Sequence, residues 1–194
     1  MSCRNHATRG FALMEVLVSL VILMFGLLGL VGVSSRANLS ELEAYQRVQA
    51  LQLVQDMADR LNANRKVASC YSDGANGTLF GTGYAGTPTC TVGGAQEQAR
   101  AVADLKEWDG LLKGSAVMEG GTKVGGMIGA VGCVTLDDPV NNVYLIAVSW
   151  QGLTNTAAPV LADGTTAFPC GSGSYTDEKL HRVVTTKVRM GVLS

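Results

Sequence analysis

From Phe11 to Val33 the chain runs for 23 residues with a single charge, Glu15, among Phe, Ala, Leu, Met, Val, Ile, Ser and Gly. A helix of about 20 apolar residues crosses the hydrocarbon core of a bilayer, so this segment has to be satisfied by lipid or by other apolar helices. The ten residues before it carry Arg4 and Arg9 and no acid, which places residues 1–10 in the cytoplasm and sends the rest outward. The run is longer than the roughly 7–15 apolar residues of an ordinary secretory signal, and no small-residue cleavage site follows Val33. A carboxylate inside such a span is costly, which makes Glu15 a candidate functional residue.

Beyond Val33 the composition turns mixed. Leu39, Leu42, Tyr45, Val48, Leu51, Val54, Met57, Ala58 and Leu61 recur at steps of three and four, and no Gly or Pro interrupts Ser34 to Asn64. This predicts one helix from about Phe11 to about Arg65, roughly 80 Å long, its first half apolar all round and its second half packed by one stripe on a globular domain. Gly26, Gly29 and Gly32 in the first half suit close helix packing or local unwinding. The domain organisation expected is 1–10, a leader; 11–33, the apolar half-helix; 34–66, the amphipathic half; and 67–194, a globular head. Fifteen basic against sixteen acidic side chains give a formal charge of −1, which provides no field for holding nucleic acid.

Arg9-Gly10-Phe11-Ala12-Leu13-Met14-Glu15-Val16-Leu17-Val18 resembles the signal of type IV prepilins, in which a short basic leader ends in Gly and an apolar helix follows with Glu at its fifth position. Ala12-Leu13-Met14 stands where that family usually has Thr-Leu-Ile. The resemblance implies that a membrane-bound prepilin peptidase cuts after Gly10 and methylates the new amino group of Phe11. It also implies that Glu15 pairs with the Phe11 ammonium of a neighbouring subunit in a water-poor filament core, where such an attraction is strengthened. Gly10 and Phe11 are thus the expected processing residues and Glu15 the assembly residue. Losing Arg4 and Arg9 would make the chain two charges more acidic.

Of five cysteines, Cys3 lies in the leader and Cys70, Cys90, Cys133 and Cys170 fall on the outward side. Four cysteines permit three pairings, and sequence alone does not choose among them. Cys70–Cys90 and Cys133–Cys170 each close a loop rich in Gly, Thr and turn signals, which favours the sequential arrangement, at about 3–4 kcal/mol per bridge. Ala95 to Lys113 reads as a second helix with Ala99, Val102, Leu105, Trp108 and Leu112 on one side, and its Asp104-Leu105-Lys106-Glu107-Trp108 segment resembles the D-L-x-x-W element of PilV-type minor pilins. Trp108 is expected to be a core anchor. Ala130–Leu136, Val143–Trp150 and Leu180–Met190 alternate as strands, the middle one apolar on both faces and therefore central. The last strand sets Lys179, His181, Lys187 and Arg189 on one face, which is expected to be solvated.

No nucleophile, base and orienter occur together in any motif, no C-x-x-C is present, and only His6 and His181 are available as imidazoles, so an enzyme, a metal site or a cofactor is not expected. Gly81-Thr82-Gly83-Tyr84-Ala85-Gly86 matches G-x-G-x-x-G but follows no expected strand and leads into Thr87-Pro88 rather than a helix. Asn76-Gly77-Thr78 reads as a turn, and so do Asp137, Asp138, Asn141 and Asn142. The fold expected is α+β, a long N-terminal helix packed on a small antiparallel sheet with disulfide-closed loops, which is the type IV pilin architecture. The resemblance implies a minor pilin that helps initiate pilus assembly within a tip complex and supports twitching motility and adhesion. Its implied partners are the prepilin peptidase, other minor and major pilins and a PilY-type adhesin; its implied location is the inner membrane, then the extracellular pilus. A type II secretion pseudopilin would carry the same leader. A DNA receptor for competence would use the basic face of the last strand.

Overall fold

The computed structural model describes residues 13–72, 74, 78–123 and 125–191. The chain divides into two units, Met1–Leu42 and Glu43–Ser194, and helix α1, Leu13–Ala63, runs through the division. In the first unit the apolar side chains from Leu13 to Val33 are all exposed. Helical geometry satisfies their backbone internally, and the Ser19 and Ser35 hydroxyls donate to the carbonyls of Glu15 and Val31 at 2.7 and 3.0 Å. The helix is continuous through Gly26, Gly29 and Gly32, and nothing in the chain occupies the space a Cβ would take there.

The second unit is built on a four-stranded antiparallel sheet in the order β1-β4-β5-β6, with β1 Thr78–Gly81, β4 Val131–Asp138, β5 Val143–Gln151 and β6 His181–Arg189. A separate two-stranded hairpin joins β2, Met118–Glu119, to β3, Thr122–Lys123, through Gly120-Gly121, both at positive φ. Strand β5 is interior to the sheet, and both of its faces are used. Tyr144, Ile146, Val148 and Trp150 enter the main core, while Ala147 packs with Val131, Cys133, Phe168 and Cys170 on the reverse. The main core lies between the sheet, α2 (Ala95–Leu112) and the end of α1, with Met57, Leu61, Phe80, Leu105, Trp108 and Leu112 among its most buried members. The reverse face is covered by the excursion between β5 and β6.

Position 132 is glycine for a steric reason. A Cβ there would run into the rings and methyls of Trp108 and Leu112, so α2 lies directly on β4 only because that strand carries no side chain at this point.

The disulfides join Cys70 to Cys90, with Cα atoms 5.1 Å apart, and Cys133 to Cys170, 5.9 Å apart. The first ties the 3₁₀ segment Arg65–Tyr71 to the approach of α2, and the second pins the excursion onto β4.

Three expectations need correction. The stripe predicted on α1 is buried only from Ala50 onward, as Ala50, Leu53, Val54, Met57, Ala58 and Leu61, whereas Leu39, Leu42, Tyr45, Val48 and Leu51 are exposed. Repeated steps of three drift by about 60° per step on a 3.6-residue helix, so Leu51, Val48 and Tyr45 wind away from the core side, while Leu39 and Leu42 belong to the first unit. The core side is continued instead by half-buried Gln49, Gln46 and Glu43. On α2, Ala99 is exposed and Val102 only half-buried, and Ala101 and Asp104 take the inward positions beside Leu105 and Trp108. Helix α1 stops at Ala63, two residues short of the expected end at about Arg65, because Asn64 turns inward and its amide donates to the Tyr71 hydroxyl (3.2 Å) and the Glu97 carbonyl (2.9 Å).

Candidate assembly segment and head anchors

Gly10 and Phe11, the expected processing residues, lie outside the described residues. Glu15 stands in the first turn of α1, exposed, with apolar neighbours exposed on every side. Its position suits the positive end of the helix dipole, and in a hydrocarbon environment an unpaired carboxylate is costly. Among the described residues α1 is the one helix long and apolar enough to cross a membrane, and none of its apolar window is buried within the chain.

In the head, the end of α1 is bound to α2 by a polar network around Arg60. Its guanidinium donates to Asp56 at 2.8 Å, to Glu107 at 2.9 Å and to Asp104 at 3.3 Å. Asp104 in turn accepts the Tyr71 hydroxyl at 2.5 Å. A buried carboxylate is tolerable only when its oxygens are satisfied this way. The Arg60 hydrogen bond and charge hold Glu107 below the usual carboxylate range, while burial and then the Asp104 carboxylate push the Tyr71 phenol well above its ordinary value. Trp108, one turn beyond Asp104, is fully buried and its indole N–H donates to the Leu53 carbonyl of α1 at 2.9 Å. The D-L-x-x-W segment thus works as one device: Asp104 satisfies the polar side of the α1–α2 contact while Leu105 and Trp108 fill the apolar side.

A second anchor was not visible in the sequence. One oxygen of the Glu43 carboxylate accepts the backbone N–H groups of Leu153 and Thr154 at 3.0 and 2.9 Å, the Thr154 hydroxyl at 2.8 Å and an Arg182 nitrogen at 3.4 Å. Partners 110 residues and more away along the chain leave no local signal. Burial raises the Glu43 pKa, but the bonds from Thr154 and Leu153 and the Arg182 charge outweigh it and leave the carboxyl below its ordinary value of 4.5. A carboxyl lowered on folding contributes stability that is fully present above its unfolded value and is lost as pH falls through the lowered folded one. Glu43→Ala is therefore expected to cost about 1–3 kcal/mol at pH 7, to speed amide exchange at Leu153 and Thr154, and to flatten the acid limb of the stability curve below pH 4.5. Unchanged exchange at both amides would remove the anchor.

The basic face expected on the last strand is not assembled. His181 is buried, with Nδ1 2.9 Å from a Glu178 carboxylate oxygen and its ring against Tyr175. Lys179 belongs to the 3₁₀ turn Glu178–Leu180 before β6, and the Lys187 ammonium lies 2.7 Å from Asp137. Lys179, Lys187 and Arg189 are exposed, but of the four only Lys187 and Arg189 share an exposed face of β6. The G-x-G-x-x-G stretch does follow a strand, β1, contrary to expectation, but no helix opens after it. Asp138 is a turn residue, its carboxylate accepting the N–H groups of Val140 and Asn141. No cluster of three or more His, Cys, Asp or Glu suited to a metal occurs among the described residues.

No curated protein and no solved structure shows significant similarity to the chain. Residues 5–31 match the prokaryotic N-terminal methylation motif. That motif implies processing by a prepilin peptidase and assembly with other pilins, and with the α+β architecture of a long apolar N-terminal helix and a disulfide-bonded antiparallel sheet it supports a type IV pilin-like protein.

Proposed function

We propose that the protein is a minor type IV pilin of the PilV type, cleaved after Gly10, methylated on Phe11, held in the inner membrane by the first half of α1 with its head outward, and then transferred to the pilus. The observation that carries this reading is the methylation motif over residues 5–31 with Glu15 set in an exposed apolar helix. In the membrane an unpaired Glu15 is costly, and in a filament the Phe11 ammonium of a neighbour offsets that cost, which biases the subunit toward assembly. The Asp104-Leu105-Trp108 device is the feature that favours a PilV-type minor pilin, acting at the start of assembly with other minor pilins and a PilY-type adhesin and so supporting twitching motility and adhesion. Its role is structural; the chain is not an enzyme in this reading.

Mass spectrometry of sheared surface filaments tests it. The N-methylated Phe11 peptide is expected in the filaments at well below the abundance of the major pilin. Its absence from filaments, with the methylated chain kept in the envelope and protein secretion lost on deletion, would mark a type II secretion pseudopilin instead.

A further inference from the structure

The head holds a cavity of about 370 Å³ that the assembly reading does not use. It lies where the 3₁₀ segment after α1 faces the β4–β5 turn and the end of β6. Arg65, Lys66, Ser69, Asn142, Tyr144 and Met190 line it. Among the described residues no carboxylate lines it. Arg65 is exposed and makes no ion pair among the described residues, whereas Lys66 has one partner, Glu97, at 3.3 Å.

Tyr144 gives the cavity a directed donor. The side chain is 5 % exposed, its ring belongs to the main core, and its hydroxyl makes no hydrogen bond among the described residues. A phenol that spends its ring on packing while its hydroxyl opens into a polar cavity has its donor free for a ligand. Burial, which raises the Tyr144 pKa, keeps the group protonated and thus a donor. Two cations, one of them already paired with Glu97, a hydroxyl, an amide and a phenol, with no acid among the described lining residues, favour an oxyanion. The planar guanidinium of Arg65 suits the paired oxygens of a carboxylate or phosphate. The volume exceeds a bare ion, and Met190 and Tyr144 supply apolar wall for a short organic body.

We propose that this cavity is an anion-binding site for a small carboxylate or phosphate ligand, with Arg65 and Lys66 providing the charge and Tyr144 the hydrogen bond that orients it. The site lies wholly in the head and does not depend on the pilin assignment.

The full chain in detergent micelles, titrated at constant ionic strength with glutarate, inorganic phosphate and neutral glutaramide, tests this through the ¹⁵N shifts of Arg65, Lys66, Ser69 and Asn142. Saturable shifts are expected with glutarate or phosphate at millimolar concentration and none with glutaramide; whichever anion saturates identifies the carboxylate or phosphate source. Tyr144→Phe, which keeps the ring in the core, is expected to weaken binding by about fivefold to tenfold, and Arg65→Gln by at least about tenfold. Both variants are expected to unfold at the parental temperature. Linear shifts with both anions, saturation that survives both substitutions, or equal binding of glutaramide would each overturn the proposal.

Discussion

Trp108→Ala is expected to lower the stability of the head by about 3–5 kcal/mol, the range for emptying a large aromatic from a packed core. Marginal stability makes that a severe loss, since domains of this size are stable by only about 5–15 kcal/mol in total. The ring touches more than one layer: it stands edge-on to Phe80 at 5.9 Å between centroids, lies over Gly132 of β4 and bonds through its indole to Leu53 of α1. Removing it takes from α2 its contacts with the sheet and with α1 together, and the glycine beneath it has no side chain to fill the space. Trp108→Phe separates the two contributions, keeping most of the apolar volume and losing the indole donor, and is expected to cost far less than the alanine variant. Urea unfolding of the full chain in detergent, followed by near-ultraviolet circular dichroism, reads both. A shift below 1 kcal/mol for the alanine variant would show that the α1–α2–sheet contact does not depend on this ring.

That contact was partly legible from residue order alone. The size of Trp108 and its spacing from Leu105 and Leu112 mark a buried face, and alternation over Val143–Trp150 marks a central strand; both are local patterns whose period matches the backbone. The pairing of the cysteines was favoured by loop composition and not determined by it. What escaped is what depends on distant partners. Nothing local marks Asp104 as a buried acid, because its partners Arg60 and Tyr71 are 44 and 33 positions away along the chain. His181 reads as part of a solvated basic face until Tyr175 and Glu178 cover it. Strand β1 was missed because four residues inside a Gly-rich disulfide loop show too few alternations to register, although β4 supplies a full set of partners. The β2–β3 hairpin did leave a signal, the Gly120-Gly121 pair whose positive φ values a tight two-residue turn requires.

At the other end of the chain, Glu15→Gln is expected to reduce incorporation into filaments by at least about tenfold while leaving cleavage after Gly10 intact, since one lost pK unit of charge interaction already corresponds to about 1.4 kcal/mol. Glutamine preserves length and shape and removes only the charge, so the exposed helix around it keeps its packing surface. The substitution also makes residence in lipid less costly, because an amide is easier to bury than a carboxylate, and both effects push the subunit back toward the membrane. In the proposed reading cleavage depends on Gly10 and its neighbours and is therefore a separate observable: Gly10→Val is expected to leave a chain of precursor size in the inner membrane with no methylated Phe11. Measuring the methylated Phe11 peptide in membrane and filament fractions of the two variants distinguishes processing from assembly. Methylated Glu15→Gln chain accumulating in the membrane is the expected result. The same chain reaching filaments at the parental level would show that the apolar surface of α1 drives entry without the charge pair, and Glu15 would then have to act before assembly.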